Sequence, residues 1–407
     1  MQCRHCKSTL NKSLIDLGFA PPSNSYLHKE DLSKPEKYFP LRVLICSNCW
    51  LVQTDDYTDA KEIFNSNYAY FSSTSTSWLE HSKRYVNDIS KRLNLTTGSF
   101  VVELACNDGY LLKNFVDNSV QCLGIEPTQS TAFEAQNLNI PVIMDFFTEK
   151  LSKKIVDNSG LADLVIGNNV FAHVPQINDF TSGIRTILAP NGTVTLEFPH
   201  LLNLIQDVQF DTIYHEHFSY LSLTSVSNIF ASHDLRIYDV DEIGTHGGSL
   251  RIYGCHKNAK FSTSKAVKEV LIKEKRNGLL DIRTYENFQF LVDKIKYELI
   301  EFLIKAKIDK KKVVAYGAAA KGNTLLNYAG IKSDLIECVF DAAEAKQGMY
   351  MPGSHIPIVA PDKLMELSPD IILILPWNIK DEIKTVIREL VSENILLVVP
   401  CPKIEKV

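Results

Sequence analysis

Apolar positions along the chain follow three rhythms. From Ser77 to Leu95 they recur at helical spacing: Trp78, Tyr85, Ile89 and Leu93 lie seven, four and four residues apart and make one buried stripe. Beyond Leu95 the rhythm shortens to β-like runs, Phe100–Leu104, Cys122–Ile125, Ala162–Gly167 and Gly192–Phe198, with helical stretches between them. Such alternation predicts a mostly parallel sheet covered by helices, an α/β fold. A charged stretch from about Ser262 to Lys312, containing Asn277-Gly278 and several Lys/Glu pairs, reads as a helical linker. Alternation resumes with Lys312–Gly317, Ile336–Phe340, Ile371–Leu375 and Ile395–Val399, a second and smaller α/β unit. Before about Tyr57 there is little periodicity. Pro21-Pro22, Asn24 and Pro35 mark loops there, and with few apolar residues for a core this segment needs a staple.

Composition narrows the class. At 407 residues the chain is long enough for two or three cores. The 45% hydrophobic and 22% charged content is that of a soluble globular protein. A net charge of −5 argues against a nucleic-acid partner. No apolar run approaches the ~20 residues that span a bilayer, so no membrane partner is expected. The first residues lack the apolar core of a secretory signal, and a cytoplasmic enzyme is expected. Three divisions are expected, residues 1–60, 61–258 and 259–407, the last a helical linker with a C-terminal domain.

Four of the nine cysteines form two close pairs, Cys3-x-x-Cys6 and Cys46-x-x-Cys49. Two such knuckles can share one tetrahedral ion at about 2.3 Å, and four thiolates close the site, so a structural Zn2+ is expected. The other five cysteines are scattered among apolar neighbours and read as buried free thiols.

The run Phe100 to Leu112 reads strand, tight turn, helix. Glu103 lies near the strand end, with Ala105, Cys106, Asn107, Asp108 and Gly109 in the turn. Small turn residues let the backbone approach a nucleoside cofactor. The next strand ends in Glu126, suited to binding ribose hydroxyls, and a third ends in Asn168-Asn169 followed by His173. The turn lacks the full Gly-x-Gly-x-x-Gly pattern. NAD therefore competes for this site, but the acidic strand end with Asn107-Asp108-Gly109 favours S-adenosylmethionine.

Tyr214-His215-Glu216-His217 concentrates titratable groups in one short segment, where a histidine beside a carboxylate and a phenol can act as a general base. Asn67-Tyr68-Ala69-Tyr70-Phe71 is another aromatic cluster, and Gly244–Arg251 reads as a turn entering a strand. Near the start of the second unit, Gly317-Ala318-Ala319-Ala320-Lys321-Gly322-Asn323 follows a strand and opens a helix. Free amides and a lysine at that point can cradle a phosphate, and tight helix–sheet packing is an equally good reading.

In this order the motifs resemble the nucleotide-sugar C-methyltransferases of deoxysugar biosynthesis, over nearly the whole chain. The resemblance rests on the cysteine set, Tyr-Ala-Tyr-Phe-Ser-Ser, Glu-Leu-Ala-Cys-Asn-Asp-Gly-Tyr and Asn-Asn-Val-Phe-Ala-His-Val-Pro. It continues in Glu-Phe-Pro-His (197–200), Ile-Tyr-His-Glu-His and Tyr-Gly-Ala-Ala-Ala-Lys-Gly-Asn. It implies a zinc module, a Rossmann-like methyltransferase domain and a C-terminal Rossmann-like domain. The expected reaction adds a methyl group to a ring carbon, commonly carbon 3, of a nucleotide-diphosphate-linked 4-keto sugar. By this resemblance Tyr68, His173, Tyr214, Glu216 and His217 line the reaction site, with His217 as the preferred base; Glu216 beside it is expected to orient or charge-balance it. Glu103, Ala105, Asn107, Asp108, Gly109, Glu126 and Asn169 hold the cofactor. Glu197, His200, Gly317, Ala318, Ala319, Lys321 and Asn323 bind the substrate. An O- or N-methyltransferase, or a non-catalytic nucleotide-sugar-binding protein, is the alternative.

Overall fold

In the structure, a computed structural model, residues 1–55, 72–391 and 394–407 are described. Their strands form three sheets. The first carries β1 (Lys12–Ala20), β2 (Phe39–Ile45) and β3 (Val52–Thr54), all antiparallel. These strands were not expected from the sequence. The second sheet contains β4 (Phe100–Leu104), β5 (Gln121–Ile125), β6 (Val142–Ile143), β7 (Ala162–Asn168) and β8 (Leu188–Pro199). The chain then returns to the first sheet with β9 (Ser219–Tyr220), paired to β3. It re-enters the second with the hairpin β10 (Leu235–Ile243) and β11 (Ser249–His256).

The second sheet has the order β10-β11-β8-β7-β4-β5-β6, parallel from β8 to β6 and antiparallel on both sides of β11. Its order reverses at β4, so the crevice beyond the carboxyl ends of β4 and β7 is where an open α/β sheet takes a ligand. The third sheet holds β12 (Val313–Tyr316), β13 (Val339–Phe340), β14 (Ile358–Val359), β15 (Ile371–Ile374), β16 (Leu396–Val399) and β17 (Glu405–Lys406). Its order is β14-β13-β12-β15-β16-β17, with only β17 antiparallel. Both larger sheets are Rossmann-like.

The amphipathic helix expected near Ser77–Leu95 runs Thr76–Leu93. Ser75 accepts the Trp78 N–H at its start, and Asn94 in the left-handed region ends it. The charged stretch forms two principal helices, Lys265–Arg276 and Phe288–Ile308. The second is no mere linker. Val292, Leu299 and Leu303 on its inner face are fully buried with Leu14, Ile15 and Val43 of the first sheet and Val313 and Leu373 of the third. Many apolar residues of the N-terminal segment therefore share a core with the C-terminal unit, while its cysteines, with Leu10, Leu44 and Leu51, pack with Leu196 and Phe230 of the second sheet's unit.

Candidate active site and metal centre

The two cysteine knuckles have the same geometry. In each, the residue after the second cysteine, Lys7 or Trp50, takes a left-handed φ of 62° and donates its N–H to the first cysteine's carbonyl. All four sulfurs lie within 4.8 Å of one another, and none is in a disulfide. Cys3–Cys49 and Cys6–Cys46 are separated by 3.5 and 3.4 Å between sulfurs. A tetrahedral ion with bonds of about 2.3 Å needs sulfurs roughly 3.8 Å apart, so the set fits zinc with small adjustments.

The cofactor loop begins at the end of β4. Ala105, Asn107 and Gly109 all have positive φ (57°, 51° and 79°), a contorted path that brings backbone to the mouth of the sheet. Gly109 is fixed by packing as well, since a Cβ there would come within 2.5 Å of Ile140. Cys106 is buried, and its sulfur fills the space that a side chain at Gly124 would need. Glu126 accepts the N–H groups of Asn107 (3.0 Å) and Thr128 (2.8 Å), so it braces the loop as well as facing the crevice. Ser72 and Ser73 donate their N–H groups to the Asn107 and Asp108 side chains.

Around this crevice both carboxyl oxygens of Glu103, Oδ1 of Asp108, both amide atoms of Asn168 and Oδ1 of Asn169 are buried with no hydrogen-bond partner among the described residues. Burial, with Asp108 and Glu126 nearby, holds the Glu103 carboxyl well above its ordinary range. Buried acceptors and donors at two adjacent strand ends are costly unless a ligand satisfies them. Their polarity suits the hydroxyl, amino and carboxylate groups of S-adenosylmethionine.

The Tyr214–His217 segment follows a short turn, Phe210–Thr212. His217 Nδ1 lies 2.7 Å from the Thr212 carbonyl. A carbonyl can only accept, so Nδ1 carries the proton and Nε2 keeps a lone pair. The His217 ring stands 4.0 Å from the Tyr214 ring and 4.7 Å from that of His173. Burial, then His173, then the Lys321 and His246 charges push His217 well below the usual imidazole range, and burial brings His173 to about 4.

Several expected partnerships are different in the structure. Glu216 does not orient His217; the Thr212 carbonyl does, and Glu216 accepts from Asn24 Nδ2 at 2.6 Å. Glu197 is fully buried and shared by His81, Arg251 and Thr245, so its oxygens are committed within the protein. His200 meets Glu274 at 2.8 Å, and Glu274 also receives the N–H groups of Leu223 and Thr224. That buried pair ties two helices together, and His200 Nδ1 is left buried without a partner among the described residues. Tyr68 lies outside the described residues.

The turn after β12 is likewise a different object from an open phosphate cradle. The N–H groups of Gly317, Ala318 and Ala319 are taken by Phe340 O, Asp341 Oδ2 and Gly317 O. A Cβ on Gly317 would lie 2.4 Å from Pro376, and one on Gly322 would lie 2.7 Å from Leu375, so these glycines serve packing. The first turn of helix Ala320–Ala329 has no side-chain cap. Lys321 there rests on the Trp377 ring (4.4 Å) and donates to Asn378. The Asn323 amide is buried without a partner among the described residues.

Some residues at the seam carried no role in the sequence reading. Trp377 donates to buried Asp211 at 2.7 Å. His246, held at φ 53° between strands β10 and β11, approaches Asn169 at 3.2 Å, and burial brings it to about 4. A Cβ on its neighbour Gly247 would strike Trp377. The sequence signal for this contact was the Gly-Thr-His-Gly-Gly run, where tight glycines imply close approach.

Comparison with known proteins agrees with this geometry. Family models match residues 3–64 as a zinc binding domain, 78–240 as a methyltransferase domain and 244–402 as a C-methyltransferase C-terminal domain. The last begins within the β10–β11 hairpin of the second sheet. The C-methyltransferase NovU of Streptomyces niveus is 34% identical over 402 residues, covering 99% of this chain and 96% of that protein. Among solved structures, the magnesium protoporphyrin IX methyltransferase of Synechocystis PCC 6803 with bound SAM matches 50% of this chain and 100% of its own at 13% identity and a TM-score of 0.36. The PH0226 protein of Pyrococcus horikoshii OT3 gives the same coverage and score at 15% identity. The orphaned polar groups, the zinc-fitting thiols and the full-length relative converge on one assignment: the chain belongs to the S-adenosylmethionine-dependent C-methyltransferase family.

Proposed function

We propose that the chain methylates a ring carbon, C-3, of a nucleotide-diphosphate-linked 4-keto deoxysugar, with His217 as the base. The observation that carries this reading is the fixed tautomer of His217, whose Nε2 lone pair sits in a wall of aromatic rings. A carbon bearing only hydrogen and hydroxyl is not nucleophilic. Beside a ketone, transfer of its proton to Nε2 leaves the C–H electron pair delocalised as an enolate. S-Adenosylmethionine supplies an electrophilic methyl group when bound.

Tyr214 and His173 are the groups available to donate to the enolate oxygen or anchor the sugar. Lys321 with the uncapped helix start supports a diphosphate, and an anion opposite Lys321 offsets the field that weakens His217 as a base. Product NMR after incubation with S-adenosylmethionine and keto sugars tests the reading. A new C–CH3 signal on a quaternary ring carbon is expected; an O–CH3 or N–CH3 product contradicts it. A thermal-shift screen of dTDP-, GDP-, CDP- and UDP-sugars selects the substrate for that experiment.

A further inference from the structure

The segment carrying His217 lies in the chain between strands β8 and β10 of the second sheet, yet the N-terminal module grips it residue by residue. His215 Nε2 donates to the carbonyls of Phe39 (3.3 Å) and Pro40 (3.2 Å). Glu216 accepts from Asn24. The Thr54 hydroxyl donates to the His217 carbonyl at 3.3 Å, and the Thr54 N–H donates to the Phe218 carbonyl at 3.2 Å. Ser219 and Tyr220 then pair as β9 with Gln53 and Val52 of β3. Six consecutive residues thus have partners in a module that precedes them by more than 150 positions.

This grip leads directly to the metal site. Arg4 lies between ligands Cys3 and Cys6, and its guanidinium reaches Ser219 Oγ (3.4 Å) and the Thr54 carbonyl (3.1 Å). The same group lies 5.5 Å from the centre of the Phe218 ring. Arg4 N–H donates to Gln53 Oε1, and Gln53 Nε2 donates to the Cys3 sulfur at 3.3 Å. An ion joining the two knuckles would therefore fix Arg4 and Gln53 relative to each other, and through them the strand pair that ends in the reaction segment. By itself that segment is a short turn and a two-residue strand, too little local structure to hold a base in register.

We propose that the zinc-binding module is the mould of the reaction segment, with Arg4 and Asn24 as positioning residues for His217 and Glu216. The proposal rests on the reading of Tyr214–His217 as the reaction site. A base misplaced by about 1 Å loses on the order of a hundredfold in rate, so the fit of this mould bears on turnover more than on cofactor affinity.

The test uses the full-length zinc-loaded protein carrying Asn24→Ala or Arg4→Gln, with His217→Asn as reference. Zinc content, S-adenosylmethionine affinity, kcat, and amide hydrogen exchange by mass spectrometry are measured. The expected result is unchanged zinc, cofactor affinity within about twofold, and kcat lower by roughly 10- to 100-fold with little change in KM for the cofactor. Exchange should quicken over residues 213–221 and not over 100–126. Should Arg4→Gln lose zinc, Asn24→Ala decides, because Asn24 touches no cysteine. If Asn24→Ala retains both kcat and protection of 213–221 while His217→Asn is inactive, the mould is overturned and the reaction site stands. If His217→Asn is itself fully active, the reading of the reaction site fails instead.

Discussion

Glu216 and His217 are adjacent in the chain, but their side chains answer to different partners: the N-terminal Asn24 for one, the local Thr212 carbonyl for the other. The Tyr-His-Glu-His pattern made a candidate site legible, because few other segments hold so many titratable groups. The partners were not legible, since Asn24 lies 192 positions away and nothing in its loop distinguishes it from a turn asparagine. Burial raises Glu216 to about 7 from an ordinary 4.5, and the Asn24 hydrogen bond only partly opposes this. The consequence for stability has a definite sign. Between about 4.5 and 7 the unfolded chain releases this proton while the folded chain keeps it, so the contribution to stability falls as pH rises through that window. The full difference is about 3 kcal/mol, reached above pH 7. Glu216→Gln, which keeps an acceptor for Asn24, should therefore stabilise the protein at pH 8 by up to about 3 kcal/mol and leave it nearly unchanged at pH 5. Urea unfolding of both proteins at the two pH values checks this; an equal difference at both contradicts it.

At the scale of elements, β4, β5, β7 and β8 of the second sheet and β12, β13, β15 and β16 of the third were legible from short apolar runs, because parallel strands covered on both faces leave little room for polar residues. Strands β1 to β3 escaped for a different reason. The pairing of β1 with β2 shifts register between Ser13 and Ile15 and again between Asp16 and Phe19, and those irregularities scramble the alternation that marks a strand. The helix Phe288–Ile308 looked like a linker because Lys294 and Glu298 pair on its surface, while its buried face contacts residues hundreds of positions away. Leu299→Ala removes a fully buried side chain from that shared core and should cost about 2–5 kcal/mol. Denaturant unfolding measures this cost. A loss below about 1 kcal/mol would place the helix outside the core.

Across the whole molecule, the chemistry gathers where the three sheets meet. The second supplies the orphaned polar groups of the cofactor crevice and His173, the first grips the His217 segment, and the helix after β12 brings Lys321. Thr324, one helical turn beyond Lys321, bonds the carbonyl of Ile213, which fastens the third sheet's unit to the same segment. Order and identity of the motifs revealed the components, but not this convergence, which depends on pairings such as β3 with β9 that no local pattern encodes. The central claim is that this seam removes a proton from a carbon beside a ketone, and isotope exchange tests that step directly. With a nucleotide-linked 4-keto sugar in deuterated water, the unaltered protein should exchange the hydrogen on the carbon next to the ketone, and His217→Asn should not. Absence of exchange by the unaltered protein, together with no consumption of S-adenosylmethionine on any keto sugar, would contradict the account.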